Sequence, residues 1–458
     1  MDEENKTPDA ELTAPEPGDM EDLPKESCYS KFAAEQKLEE VRREAYRKGR
    51  RRGTLRTIIV CLVIAVCAAG VIKTRSDKTT VAVTVTDEDG EQSTEYVTYD
   101  SLLDSETVDK INKIAAAIQS SYYEDVDTEE LTEGLFQGLF NALDVYSQYY
   151  TAEEYADLYA TSIEGSYSGI GATLQEDADT GLPTVIKVQS DSPAEEAGIQ
   201  VGDVLIAADE YESADMDLTE FVSHVKGEEG TTVVLTVYRE GEEDYLEIEV
   251  ERRQLTIESV VWEMLENDTG YIQISEFSDS TTEQFEEALT ELTEAGMTGL
   301  IVDLRDNPGG TLTSVVEILE YIVPEGLIVY TQDKYGNTSE YESTGENAID
   351  IPLAVLVNGS SASASEIFAG AVKDRECGTL IGTTTYGKGI VQGLQELSDG
   401  SAIKMTISRY YTPNGVCIQG TGIEPDIELE YEFLGGEDDS YDYSLDNQIQ
   451  AALDVLAE

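Results

Sequence analysis

Histidine occurs once in the 458 residues, at position 224. Any site built on imidazole, whether a Ser-His-Asp triad or a histidine-rich metal centre, would have to use that single ring. His224 lies between Phe221-Val222 and Val225-Lys226 on a stretch that reads as an amphipathic helix, which suits a helix histidine better than a catalytic base. Basic residues are scarce outside the N-terminal region. Residues 1–78 hold 15 Lys and Arg against 15 Asp and Glu, whereas the other 380 hold 14 against 80, so the whole net charge of −66 lies beyond residue 78. A surface this acidic repels phosphate backbones and excludes a nucleic-acid partner. Cysteine is sparse as well: Cys61 and Cys67 fall in one apolar run, Cys28 precedes it, and Cys377 and Cys417 lie far beyond it. Without a CxxC or a Cys/His cluster, neither a zinc site nor a disulfide framework is indicated, and a Cys377–Cys417 bridge stays open. No cofactor and no metal is called for.

One long apolar stretch is present. Residues 57–72 carry no charge over 16 positions, about 24 Å of helix. Leu55 and the snorkelling ends Arg56 and Lys73 extend it toward a bilayer span. Arg42, Arg43, Arg47, Lys48 and Arg50 to Arg52 crowd its N-terminal side, which predicts a cytoplasmic N-terminus and an extracytoplasmic remainder. A buried core helix and a cleaved signal peptide are the alternatives. The segment before the run is too long for a signal n-region.

These patterns predict seven segments. Residues 1–54 form a cytoplasmic segment, disordered at its acidic start, and residues 55–73 a transmembrane helix. A Thr-rich stalk covers 74–100. Residues 101–164 show apolar residues at helical spacing (Ile111, Ile114, Ile118, then Leu131, Leu135, Leu139), with Thr151 as a helix cap. Residues 165–253 alternate short β-rich runs with turns, and Ser192-Pro193 to Gly198 has the signature of a short capped helix. Residues 254–430 alternate strands and helices, an α/β core with buried strands near 300–304 and 353–357. Residues 431–458 read as an acidic tail ending in a helix.

Without a usable histidine, a hydrolase needs another base. Lysine can serve when burial lowers its pKa from about 10.4 toward ~7–8. The run Ser361-Ala362-Ser363-Ala364-Ser365-Glu366 places serines where a buried strand turns into a helix, and Lys388 stands between Gly387 and Gly389, which let the backbone approach closely. Taken singly, each piece also fits a helix cap or an ordinary turn.

Taken together and in order, Ser168-Gly169-Ile170-Gly171-Ala172, Asp303-Leu304-Arg305-Asp306-Asn307-Pro308-Gly309-Gly310, the serine run, and Tyr386-Gly387-Lys388-Gly389-Ile390-Val391-Gln392 resemble the C-terminal processing peptidases, or tail-specific proteases. The resemblance covers roughly residues 105–430. It implies an α/β (α+β) protease core of crotonase/Clp-protease-like type with an inserted PDZ-like β-rich domain. It further implies Ser363 as nucleophile, Lys388 as base, Gln392 as the residue orienting that base, and an oxyanion hole from the Gly309 and Ala364 N–H groups. If the chain after Lys388 is helical, Gln392 lies on the same face four positions on. Gly169, Ile170, Gly171 and Ala172 become the loop that holds a peptide carboxylate, because PDZ domains bind C-termini by strand addition.

Asp144-Val145-Tyr146-Ser147 departs from the family's usual Asp-Pro-His-Ser and is given no place in the catalytic set. The expected activity is a membrane-anchored extracytoplasmic serine endopeptidase acting on proteins or peptides with exposed C-termini. The lipid bilayer and a homo-oligomer are its other expected partners. A non-enzymatic PDZ adaptor is the competing reading, but it predicts loss of Ser363, Lys388 or Gln392. A β-lactamase-like enzyme expects Ser-x-x-Lys on one helix, which the separation of 363 and 388 opposes.

Overall fold

The computed structural model describes residues 78–86, 92–100, 102–177, 180–436 and 440–457. The apolar run 57–72 and the segment before it, with the expected membrane anchor, lie outside the described residues. Among the described residues no helix is long and apolar enough to cross a membrane.

Where a stalk was expected, β1 (Lys78–Thr86) and β2 (Gln92–Asp100) pair antiparallel. The helical unit follows. Asp104 caps α1 (Ser105–Ser121) by accepting from the Thr107 N–H, and Asp127 caps α2 (Thr128–Phe140). A short strand, β3 (Gln148–Tyr150), leads to α3 (Ala152–Leu158). Thr151 caps α3 reciprocally: its hydroxyl accepts from Glu154 N–H, and the Glu154 carboxylate accepts from Thr151 N–H at 2.8 Å. The apolar stripe of the first two helices finds no cover among the described residues: Ile114, Leu135 and Leu139 stay exposed and neither helix has a buried residue.

The β-rich domain comprises β4 (Ser166–Gly169), β5 (Ala172–Glu176), β6 (Pro183–Val188), β7 (Val204–Ala208), β8 (Tyr211–Glu212), β9 (Thr232–Tyr238), β10 (Leu246–Glu251) and β11 (Arg253–Thr256). Its sheet runs β10-β9-β7-β6-β5 with β8 on β7, and β4 pairs with β11 where the chain enters and leaves. Strand period decides its core: Val233, Leu235 and Val237 on alternate positions of β9 are all buried with Val250. Helix α4 (Pro193–Ala197) is capped by Ser192 and stopped by Gly198 at φ 85°. Helix α5 (Leu218–Val225) carries His224, whose ring stacks on Tyr211 at 3.6 Å, so the lone imidazole is a packing group here.

The remaining elements are β12 (Val260–Met264), β13 (Thr269–Ile274), α6 (Asp279–Glu294), β14 (Gly299–Asp303), α7 (Leu312–Leu319), β15 (Gly326–Asp333), β16 (Thr338–Ser343), β17 (Leu353–Val357), α8 (Ala364–Asp374), β18 (Thr379–Gly382), β19 (Ile390–Glu396), β20 (Ala402–Tyr411), β21 (Ile427–Glu428) and α9 (Asn447–Leu456). One sheet runs β12-β13-β14-β17-β18-β21, parallel from β13 onward. Such strands are buried on both faces. Leu300, Val302, Val355 and Val357 face one core with α6, α7 and α8, while Ile301, Ala354 and Leu356 face the other with Ile449 and Ala452 of α9. The C-terminal helix therefore belongs to the core and is not part of an acidic tail, because a parallel sheet left bare on one face would expose those apolar side chains. A second sheet runs β16-β15-β20-β19, and β3 of the helical unit pairs with β20.

Arg305 joins α9 to the loop after β14. Its guanidinium donates to Asp303 Oδ1 and Oδ2, to Asp446 Oδ2 at 2.9 Å and to Gln448 Oε1 at 2.9 Å, and both carboxylates are fully buried. Removing one partner of such a group leaves an uncompensated buried charge. Arg305→Met is therefore expected to destabilise the chain by about 3–5 kcal/mol in urea unfolding. A loss below ~1 kcal/mol, the value of an exposed pair, would refute that role.

Candidate active site

Adjacent parallel strands β14 and β17 end side by side, and their loops are tied together. Ser361 Oγ donates to Leu304 O at 2.7 Å, Ser365 Oγ donates to Asn307 O at 3.0 Å, and Ala362 N–H donates to Asn307 O at 3.0 Å. Ser361 and Ser365 are thus buried packing groups. Ser363 between them is half-buried and sits at φ 55°, ψ −109°, at the N-terminus of α8. A non-glycine residue held in that region stores strain, of order 1–3 kcal/mol, that the surroundings must over-determine. They do so through Tyr410, whose hydroxyl donates to Ser363 O at 3.0 Å, and through Glu366, whose Oε2 accepts from Ser363 N–H at 2.9 Å.

Glu366 is the hub. Its fully buried carboxylate also accepts from Thr385 Oγ1 at 2.6 Å, Gly387 N–H at 2.7 Å and Lys388 N–H at 2.8 Å. One side chain therefore locks the Ser363 turn to the Lys388 loop. The sequence reading did not single it out, although Ser363-Ala364-Ser365-Glu366 has the spacing of a capping box.

Lys388 is half-buried, and burial is the first cause holding its amine below the ordinary lysine value. Repulsion from Lys404 acts the same way, while Glu366 and Asp144 oppose it. Its Nζ lies 4.7 Å from the centroid of the Tyr146 ring. Among the described residues the amine makes no ion pair, and no hydrogen bond joins it to the Ser363 hydroxyl. The Asp144–Ser147 segment, left out of the catalytic set on sequence grounds, thus lies at the site. The pairing of β3 with β20 brings it there, helped by the Thr406 N–H donating to Ser147 Oγ at 3.2 Å.

The chain after Lys388 is not helical: Gln392 lies on strand β19, opposite Thr406 and next to a β-bulge, and its Nε2 is buried without a hydrogen-bond partner among the described residues. An i, i+4 spacing does not distinguish helix from strand, and the antiparallel ladder with β20 decides for strand. Gly309 is at φ 106°, and a Cβ there would lie 2.8 Å from Ser363 Cβ and 2.9 Å from Ala364 N, so only glycine permits this approach. Its N–H donates to Asn307 Oδ1 at 2.8 Å, whereas the Ala364 N–H has no partner among the described residues.

In the β-rich domain, Gly169 ends β4, Ile170 is buried, and Gly171 at φ 83° packs so tightly on Ser192 that an added Cβ would come within 2.3 Å. Ala172 begins β5, which pairs on one side only and forms the edge of the sheet. The N–H groups of Ile170 and Gly171 make no hydrogen bond among the described residues. An open edge strand preceded by free N–H groups can receive an extended peptide and its terminal carboxylate.

Comparison with known proteins agrees with this arrangement. The profile of Peptidase family S41 matches residues 268–429, that of the PDZ domain residues 168–250, and that of the activating protease CtpB N-terminal domain residues 64–154. The carboxyl-terminal-processing protease of Synechocystis is 37% identical over 308 residues, covering 66% of this chain and 71% of that protein. The carboxy-terminal processing protease CtpB of Bacillus subtilis is 35% identical over 327 residues, covering 70% and 68%. Among solved structures, the photosystem II D1 C-terminal processing protease aligns with a TM-score of 0.42 at 28% identity, covering 70% of this chain and 88% of that one. With matches that span its helical, PDZ and catalytic regions, this chain belongs to the C-terminal processing peptidases and is a serine-type peptidase with a mixed α/β core and a PDZ domain.

Proposed function

We propose that the chain is a membrane-anchored endopeptidase acting outside the cytoplasm, with Ser363 and Lys388 as a catalytic dyad. The observation that carries the dyad is the single buried carboxylate of Glu366 bonded to the backbone N–H of both residues. Ser363 Oγ attacks the scissile carbonyl carbon while its proton passes to the neutral Lys388 amine. The resulting oxyanion is received by the Ala364 N–H, and by the Gly309 N–H once Asn307 releases it. Collapse of the adduct expels the amine product, which takes the proton back from Lys388, and water then hydrolyses the acyl-enzyme by the same route reversed. Gln392, whose Nε2 has no partner among the described residues, orients the amine when it swings from Tyr146 toward Ser363. The Ile170-Gly171 loop and edge strand β5 hold the C-terminus of the substrate. We also infer a core of crotonase/Clp-protease-like type, which the parallel strands β13, β14, β17 and β18 support.

Anchoring and orientation rest on the apolar run 57–72 and its basic N-terminal flank. Protection of residues beyond 78 from a protease added to intact cells would refute that orientation. For the activity, the full chain is incubated with an unfolded protein and the new termini are identified by mass spectrometry, beside Ser363→Ala. Cleavage that survives in Ser363→Ala refutes the nucleophile. The pH profile tests the base. Only the unprotonated amine accepts the proton, so kcat/KM rises with pH through the Lys388 pKa, and a lowered pKa moves that acid limb toward neutrality. A rate unchanged from pH 9 down to about 5 contradicts a lysine base.

A further inference from the structure

Lys388 sits in a set of charges that disagree. Burial and Lys404 on β20 favour the neutral amine, while Glu366 on α8 and Asp144 in the loop before β3 favour the charged one. Neither carboxylate makes an ion pair with it among the described residues. The group in contact with the amine is the half-buried ring of Tyr146, at 4.7 Å from Nζ. An aromatic face attracts a cation through its quadrupole and has no such attraction for a neutral amine. Lys404, opposite Gln148 in the β3–β20 pairing, repeats the arrangement, with Nζ 5.1 Å from the Tyr150 ring. The Tyr386 phenol, then burial and nearby carboxylates, push the Tyr146 phenol above its ordinary value.

We propose that Tyr146 is a positioning residue for Lys388: its ring face holds the amine in the charged form and competes for it with the Ser363 hydroxyl. The helical unit thereby reaches into the protease site, since the β3–β20 pairing carries Tyr146 to a residue 242 positions later in the chain. The idea rests on the dyad reading for its consequence in catalysis but not for the contact itself.

Two measurements on the full chain separate the two. In a Ser363→Ala background, the pH dependence of Lys388 acylation by an amine-selective reagent, read by mass spectrometry of the peptide containing residue 388, gives the titration of this amine without any catalysis. Tyr146→Leu is expected to lower the midpoint by roughly 0.5 to 1 pH unit, and Tyr146→Phe, which keeps the face, to leave it in place. A ring that merely shields the amine from water would give the opposite sign, because its loss would admit solvent and raise the midpoint. An unchanged or raised midpoint in Tyr146→Leu overturns the proposal. Should that variant not fold, a series of fluorinated phenylalanines at 146 keeps the shape while draining charge from the face, and the midpoint should fall stepwise; a flat series overturns the proposal equally. In the Ser363 protein, the acid limb of kcat/KM should move down with the midpoint. If the midpoint moves and the limb does not, the ring contact stands and Lys388 is not the base.

Discussion

Lys388→Ala is expected to abolish peptide-bond cleavage, by roughly 10³-fold or more in kcat/KM, while leaving a folded chain. The side chain makes no ion pair or hydrogen bond among the described residues, and its contact with the half-buried Tyr146 ring is an attraction of about 1–2 kcal/mol. Its removal strands no buried partner. Ser363→Ala is expected to match it, and the double variant to be no worse than either single one, because two groups that move one proton act as a unit. Peptide cleavage assays and thermal melts of the three variants check both halves of the statement. Activity within tenfold of the parent in Lys388→Ala would remove the lysine from the mechanism, whatever the other variants do.

The second large effect belongs to Glu366→Gln. The two carboxylate oxygens each accept two hydrogen bonds from donors on the Ser363 turn and the Lys388 loop. A carboxamide keeps one acceptor oxygen and turns the other position into a donor nitrogen facing donors. One pair of donors then loses its acceptor in a fully buried place, at a cost of about 1–3 kcal/mol for each unsatisfied group. Stability should fall by roughly 2–4 kcal/mol in urea unfolding. Activity should fall further than stability explains, since a shift of ~1 Å between nucleophile and base alone costs about 10²-fold. A variant with parental cleavage and an unchanged unfolding midpoint would show that the carboxylate is not the link between the two loops.

Much of the fold was readable from local pattern. Thr151 and Ser192-Pro193 cap their helices as expected, Gly198 ends the second, and the all-apolar runs near 300 and 353 are doubly buried parallel strands. The Ser363 turn was readable too, because a buried strand, a run of small residues and a helix start occur in succession. The spacing of Lys388 and Gln392 is compatible with helix or strand, and ladder bonds to β20 make the segment strand β19. The C-terminal helix, set apart as a tail, covers one face of the central sheet, because the acidic residues lie mainly in the segment before it, while Ile449 and Ala452 on the helix face the core. Tyr146 stood out only as part of a departure from the family's Asp-Pro-His-Ser pattern, and nothing local in the sequence placed it beside Lys388.

What the amino-acid order determined by itself was the set of short-range features: caps, turns, strand and helix periods, and the residue types able to do proton chemistry. These depend on contacts within about four positions, which a linear reading can see. The tertiary structure alone decided that β3 joins β20, that Glu366 grips two loops at once, and that the Lys388 amine rests on an aromatic ring from another domain. Those outcomes depend on strand pairing and burial between segments tens to hundreds of residues apart. Their energies arise only once the sheet has assembled.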